Sequence, residues 1–385
     1  MSALEIVAWT CFGLAAYHYA VYPLAVIVLA RLVRERRTTS QSPTPWALPR
    51  VAMIIAAYNE ERVIRAKLEN CRALTYPREL LTILVAADGS SDRTADIVRD
   101  FGDARVTCLH EPERRGKGAA LNRAVAATDA DVVVLSDANN FYSIDAIERL
   151  VAPLEDLGVG GVTGAKKIFE TRERAAAAGD GLYWRYESLI KTAESRLGGT
   201  VAADGEIFAL RRAQYAPIPR HVVNDDMHLT LRLVERGLRL VYEPAATATE
   251  EGSFTIGEDF NVKVRMIAGG LQNTFGEWRT VFGSGVFTFK YFSHKILRWL
   301  MPLFMLGLLV SSALLARTTP YNLLFAAQIF FYALAGLGWW LNARGRRGAL
   351  FYVPFYFVAM NAAAAGGLLR FLRGSQTPLW TKAVR

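Results

Sequence analysis

Between residues 51 and 154, short apolar runs alternate with polar stretches whose apolar residues recur at helical spacing. "VAMIIAA" (51–57), "LLTILVAA" (80–87), "RVTCL" (105–109) and "DVVVL" (131–135) are the apolar runs. The stretches after them begin near Glu60, then read "SSDRTADIVRDF", "GKGAALNRAVAA" and "SIDAIERLVAPL". Buried strands alternating with helices form βαβ units, so the pattern predicts an α/β domain around a mostly parallel sheet. A polar, Pro-containing linker, "ERRTTSQSPTPWALPR", leads into it. No repeat at solenoid period and no low-complexity tract interrupts it.

The pattern changes at both ends of the chain. Residues 6–30, 299–316, 318–343 and 348–369 contain no Asp, Glu, Lys or Arg. A bilayer span takes about 20 apolar residues, and all four segments approach or exceed that length. The first opens with Glu5 and ends in "RLVRERR". It reads as an anchor with a cytoplasmic basic cluster, not as a cleaved signal peptide. Residues 275–298, "FGEWRTVFGSGVFTFKYFSHKILR", are aromatic and basic without being uniformly apolar, which suits helices lying at a membrane interface. His294 there reads as an interface residue and not as a ligand.

Charge supports the membrane reading. The net charge is +9, but from Trp278 to Arg385 there is no acidic residue and there are twelve basic ones. The first 277 residues hold the remaining 33 basic residues and all 36 acidic ones. Excess positive charge therefore flanks apolar runs, and a nucleic-acid partner is not expected. Cys11, Cys71 and Cys108 show neither metal spacing nor a disulfide framework. The tail "RGSQTPLWTKAVR" poses a conflict. Four spans put it opposite the central domain, whereas Arg370, Arg373, Lys382 and Arg385 favour the cytoplasmic side.

Three polar clusters follow predicted strands: "YNEE" (58–61), "DGSSD" (88–92) and "SDANN" (136–140). Each alone is an ordinary turn. Together they converge on the carboxyl edge of the sheet, where open α/β sheets bind ligands.

"AAYNEE", "AADGSSD", "RGKGAALN", "SDANN" and "VNDDMHLTLRL" resemble the membrane-bound family-two glycosyltransferases, among them cellulose, chitin and hyaluronan synthases. The likeness covers roughly residues 51–272 and the flanking apolar helices. It implies a GT-A nucleotide-sugar-binding domain that transfers sugar with inversion from a UDP-sugar, using Mg²⁺ or Mn²⁺. Its acceptor would be a growing glycan or a lipid-linked one. Tyr58 and Glu60 would contact the nucleoside, Asp88 the base imide, and Lys117, on a flexible turn, the diphosphate. Asp137 would hold the divalent cation, with Asn139 standing where the family has a second Asp. Asp226 corresponds to the catalytic base and Asp225 to its usual glutamate neighbour; the bland alternative is a capped helix N-terminus. Arg265 is retained from the family's Gln-x-x-Arg-Trp, in which Met266 replaces Trp and Val262 replaces Gln. Trp184, Asp204 and Gly205 match the acceptor region, with Met266 beside them; Trp184 reads equally well as packing.

The expected division is a membrane anchor at 1–34, a cytoplasmic GT-A domain at 50–274, an interfacial segment at 275–298 and about three membrane helices at 299–372. Two rivals to a polysaccharide synthase remain: a lipid glycosyltransferase adding one sugar, and a silent glycan-binding or translocation subunit. A two-carboxylate hydrolase fits less well, because the acids fall at nucleotide-site positions.

Overall fold

Three of the apolar runs become the buried centre of the sheet, and the fourth, "RVTCL", becomes its half-buried edge strand. The computed structural model describes residues 1–33, 47–169, 175–251, 256–346 and 349–375. Its strands are β1 (Val51–Ala57), β2 (Leu81–Asp88), β3 (Val106–Glu111), β4 (Val132–Asp137), β5 (Phe141–Tyr142), β6 (Val159–Phe169), β7 (Phe208–Arg211) and β8 (Arg239–Glu251). They form one sheet in the order β3-β2-β1-β4-β7-β6-β8-β5. The pairs β1·β2, β2·β3, β1·β4 and β6·β8 are parallel. β7 runs antiparallel to both its neighbours, and β5 to β8.

Successive strand residues point to opposite faces, so a continuous apolar run feeds two cores. Met53, Ile55, Ile83, Val85 and Val134 meet Ile64, Leu68 and Cys71 of the helix Ile64–Arg72. Ile54, Leu84, Val133 and Leu135 meet Ala120, Leu121 and Ala124 of the helix Lys117–Ala126. Register sets the site. Ala57 lies opposite Ala87, and Ala56 opposite Asp137, so β1, β2 and β4 end side by side.

Among the described residues, four helices are long and apolar enough to cross a membrane: Ala3–Leu32, Val286–Leu314, Tyr321–Ala343 and Leu350–Leu372. The expected boundary between an interfacial segment and a span at 298 is not a break. After the short helix Trp278–Gly283, one helix runs from Val286 to Leu314 without interruption. It contains a π-turn at Phe292–Ile296, and the first helix contains another at Tyr17–Val21. An added residue in each turn lets the two helices meet through polar groups. His18 Nδ1 lies 2.9 Å from the Ser293 carbonyl oxygen, and the Tyr17 and Ser293 hydroxyls are 2.8 Å apart.

His294 is fully buried, because the domain's helix Ala175–Arg196 covers it with carboxylates. Its Nδ1 is 2.8 Å from Glu194, whose oxygens also accept from Tyr22 Oη at 2.5 Å and Thr200 Oγ1 at 3.0 Å. Glu187 receives Lys295 at 2.9 Å and Arg298 at 2.8 Å. Burial alone would raise the Glu187 carboxyl, but Arg298 and Lys295 hold it well below the usual carboxylate range.

The last apolar helix packs against the domain at its C-terminal end. Phe371 stacks on Phe275 at 5.3 Å between centroids. Leu368 and Phe371 pack into a cluster with Val201 and Met227 of the α/β domain. The helix therefore ends against the domain, and Arg370 and Arg373 lie on the domain's side. Lys382 and Arg385 lie outside the described residues.

A buried charge that loses its partners is strongly destabilising, by about 3–5 kcal/mol. Glu194→Ala leaves Tyr22, Thr200 and His294 without their shared acceptor. Its thermal midpoint in detergent, followed by intrinsic fluorescence, is expected to fall by several degrees at least. An unchanged midpoint would show that this network does not fasten the domain to its helices.

Candidate active site

The β1 end turns through Asn59, whose φ of 54° is a left-handed conformation that Asn tolerates. Its Oδ1 accepts from the Ser91 amide at 2.8 Å, which ties the β1 loop to the β2 loop. The Glu60 amide donates to Thr94 Oγ1 at 2.8 Å. Tyr58 has the Arg114 guanidinium 3.8 Å above its ring. Asp88, only 4% exposed, accepts from the amides of Arg115 and Gly116, the latter at 2.6 Å. In this structure Asp88 fastens the loop that carries Lys117.

Lys117 is not on a flexible turn. Gly116, at φ +92°, turns the chain, and Lys117 is the first residue of the helix that follows. Its Nζ lies 2.7 Å from Asp137 Oδ1 and 3.7 Å from Asp225 Oδ2. Burial opposes its charge, but Asp137 and Asp225 keep it protonated beyond the usual lysine range.

The helix Asp225–Glu235 starts with both acids; neither stands at the N-cap position, although Asp226 Oδ1 accepts from the Met227 amide at 2.7 Å. The N-cap position is Asn224, which makes no side-chain capping bond and instead donates to the Met266 carbonyl at 2.8 Å. Asp225 Oδ2 is buried without a hydrogen-bond partner among the described residues. Asp226 packs against Gly205, where an added Cβ would lie 3.2 Å from the Asp226 Cβ. Burial, then the adjacent Asp225 charge, push the Asp226 carboxyl up to about 7, against the opposing pull of the Met227 amide and Lys117. Such a carboxyl exchanges a proton near neutral pH.

Arg265, on the helix Ile256–Gly276, faces the same acids. Burial lowers its basicity, while the charges of Asp225, Asp137 and Asp226 restore part of it. Met266 beside it is 39% exposed. Asp204 pairs with Lys191 at 2.7 Å, with both side chains buried. Trp184 has two cations over its ring, Lys166 Nζ 5.3 Å and Lys263 Nζ 5.6 Å from the centroid. The structure thus brings Lys117, Asp137, Asp225, Asp226 and Arg265 into one electrostatic neighbourhood. Tyr58, Glu60 and Asp88 line the adjoining strand ends.

Asn139 differs from a metal-ligating acid for a visible reason. Its Nδ2 donates to Glu250 Oε2 at 3.2 Å, as does that of Asn140. An Asp at 139 would oppose the Glu250 carboxylate. Among the described residues, no group of three or more His, Cys, Asp or Glu side chains could hold a metal. Asp137 and the Asn139 carbonyl still offer hard oxygen donors, and Mg²⁺-type sites commonly use one or two carboxylates plus substrate phosphates. That donor set fits a divalent cation shared with a bound diphosphate.

One residue of the site escaped the motifs. Lys67 is fully buried, donates to Ser136 Oγ at 2.9 Å and to the Asn140 carbonyl, and lies 4.3 Å from the Tyr142 ring centroid. It holds the β4 loop from beneath. Burial pulls its pKa down to about 8. A signal for it existed: Ile64, Lys67, Leu68 and Cys71 share the buried helix face, so a lysine occupies an apolar-stripe position.

Residues 49–282 match the family described as glycosyltransferase like family 2. The chain is 28% identical over 295 residues to "Probable glycosyltransferase YdaM" of Bacillus subtilis, covering 72% of this chain and 68% of that one. It is 28% identical over 244 residues to the poly-beta-1,6-N-acetyl-D-glucosamine synthase of Staphylococcus aureus. That match covers 60% of this chain and 58% of the synthase, less than two thirds of its length. The fold is similar to that of the mannosyltransferase PcManGT from Pyrobaculum calidifontis, solved with GDP-Man and Mn²⁺. The TM-score is 0.70 at 22% identity, over 97% of this chain and 100% of that one. The family match spans more than half of the chain and takes in the sheet, the acid pair and Arg265: the chain belongs to glycosyltransferase family 2, and polysaccharide synthases are among its relatives.

Proposed function

We propose that the protein is an inverting, metal-dependent transferase that moves a sugar from a UDP-sugar to a growing envelope or extracellular glycan, with Asp226 as base. The observation carrying this reading is Asp226 itself: a buried carboxyl poised at about 7, beside Asp225 and within the field of Lys117. The acceptor hydroxyl gives its proton to Asp226 as its oxygen bonds to the anomeric carbon. The bond from that carbon to the diphosphate breaks, and the diphosphate leaves with the electron pair. Lys117 and Arg265 stabilise the charge that develops on it. Asp137 and Asn139 would hold Mg²⁺ or Mn²⁺, which supplies further charge neutralisation when bound.

The nucleoside is assigned to the Tyr58, Glu60 and Asp88 strand ends, and the acceptor to Trp184, Asp204, Gly205 and Met266. The domain, residues 50–274, is assigned to the cytoplasmic side, where the basic residues after the first helix and at the start of the tail would gather. A lipid-linked acceptor is the second reading. Its support is that Met266 replaces the family's Trp and that the helix Ile256–Gly276 packs along an apolar helix, Ala349–Leu372.

Transfer requires ionised Asp226, so kcat/KM is expected to rise with pH up to about 7 and then level off. Asp225→Asn removes the neighbouring charge that raises Asp226 and should move this limb to lower pH. Asp226→Asn should lose roughly 10²-fold or more in transfer while UDP binding persists. An unshifted limb in Asp225→Asn together with near-full activity in Asp226→Asn would remove the base assignment.

Asp137→Ala should abolish the metal-dependent part of UDP binding in calorimetry. Asn139→Asp adds a ligand charge but faces Glu250 at hydrogen-bond distance. It should lower the metal-free thermal midpoint and regain it on adding Mn²⁺. Equal midpoints with and without Mn²⁺ in this variant would count against a cation at the β4 loop.

A further inference from the structure

The β4 loop is held by a strand that does not adjoin β4 in the sheet. Phe141 and Tyr142 of β5 lie opposite Thr249 and Ala248 of β8. One step further along that register, Asn140 meets Glu250. Asn139 and Asn140 both turn their Nδ2 to one Glu250 oxygen, each at 3.2 Å. The other Glu250 oxygen pairs with Lys166, whose Nζ also lies 2.7 Å from Glu206 Oε1. Glu250 is only 8% exposed and is gripped at both oxygens. Lys67 separately holds the Asn140 carbonyl, so the backbone and the side chains of this loop are both fixed.

A carboxylate accepts hydrogen bonds and donates none. It therefore dictates how a neighbouring amide faces, with the nitrogen toward it and the oxygen on the other arm of the planar group. Asn140 shows what this imposes. Its Oδ1 is buried without a hydrogen-bond partner among the described residues, because flipping the amide would set oxygen against oxygen. Asn139 receives the same orientation at a half-buried position, on the same loop as half-buried Asp137. Its oxygen is thereby turned away from Glu250, as a neutral hard donor.

We propose that Glu250 is a positioning residue of this same site: by accepting from Asn139 it presents the Asn139 amide oxygen, together with Asp137, to a divalent cation. This rests on the transferase reading given above. The Asn139–Glu250 pair keeps one amide and one carboxylate, so the charge that an Asp at 139 would bring to the cation sits one hydrogen bond away. Groups that orient a ligand in this manner carry about 10–100-fold in metal affinity.

The test uses the full chain in detergent with UDP present and reads Mn²⁺ half-saturation from the loss of the free-ion EPR signal. Glu250→Gln keeps the shape but offers a donor as well as an acceptor, so Asn139 is no longer held one way. Its half-saturation is expected to rise about tenfold. Exchanging the pair, Asn139→Asp with Glu250→Gln, re-forms the hydrogen bond with donor and acceptor reversed and moves the charge to the cation. That double variant should bind Mn²⁺ at least as tightly as the wild type. It should also recover the metal-free thermal midpoint lost by Asn139→Asp alone. Half-saturation in Glu250→Gln within about twofold of the wild type, or a double variant that binds as weakly as Glu250→Gln, overturns the assignment. Should Glu250→Gln alone not fold, the midpoint decides: no recovery from Asn139→Asp to the double variant overturns the pairing. A wild type that binds UDP without responding to Mn²⁺ overturns the cation reading and this assignment with it. One that binds no UDP overturns the transferase reading beneath both.

Discussion

Lys117 sits 2.7 Å from Asp137 and 3.7 Å from Asp225, and the rest of the site is arranged around that placement. Three acids at the end of a sheet repel one another and need a counter-charge they can share. Lys117 occupies that point because Asp88 fixes the preceding amides and Gly116 turns the chain into a helix. Arg265, from the helix Ile256–Gly276, supplies a second positive field. Asp226 lies further from the lysine's direct contacts, so burial and Asp225 dominate its titration. One acid of the pair thus lies beside Lys117, and the other is a carboxyl able to take a proton near neutral pH. That division follows from geometry, with no difference in residue type between the two.

The helix Ala175–Arg196 connects this site to the apolar helices through charges on its successive turns. Lys191 pairs with Asp204, next to Gly205 and hence to Asp226. Four residues earlier and three later, Glu187 and Glu194 receive Arg298, Lys295 and His294. Residues at this spacing share a helix side, so one element bears on both the chemistry and the membrane-facing junction. Buried ion pairs add little net stability, yet breaking one is costly. Their effect is to fix one docking geometry between the domain and the apolar helices.

The parallel sheet and the strand-end clusters were legible because burial on both faces makes strands continuous and apolar, and because turn residues bracket them. The acid pair was legible as a motif, but its asymmetry was not, since it depends on Gly205, Lys117 and Arg265 from distant segments. His294 reads from sequence as an interface residue because its neighbours are aromatic and basic. Its burial depends on Glu187 and Glu194, about 100 residues earlier in the chain. Asn139 reads as a departure from a metal motif. Glu250 explains it, and no local pattern announces a carboxylate arriving from β8. Lys67 was visible only as a polar residue on an apolar stripe.

The last helix shows why counting apolar segments does not settle a topology. Length and composition make Leu350–Leu372 a candidate span, and by count it would carry the tail away from the domain. Its glycine pair, Gly366 and Gly367, adds a constraint the count does not contain. Removing two side chains lets the helix lie against Val264 and Ile267, and the buried contacts that follow, Leu368 and Phe371 with Met227 and Val201, exist only beside the domain. Arg370 and Arg373 follow at that end, next to the packed contacts. Hydropathy measures only whether a helix tolerates lipid, whereas these contacts say what the helix packs against. The same apolar helix thereby packs on the helix that carries Arg265, which ties the position of that helix to the apolar part of the chain.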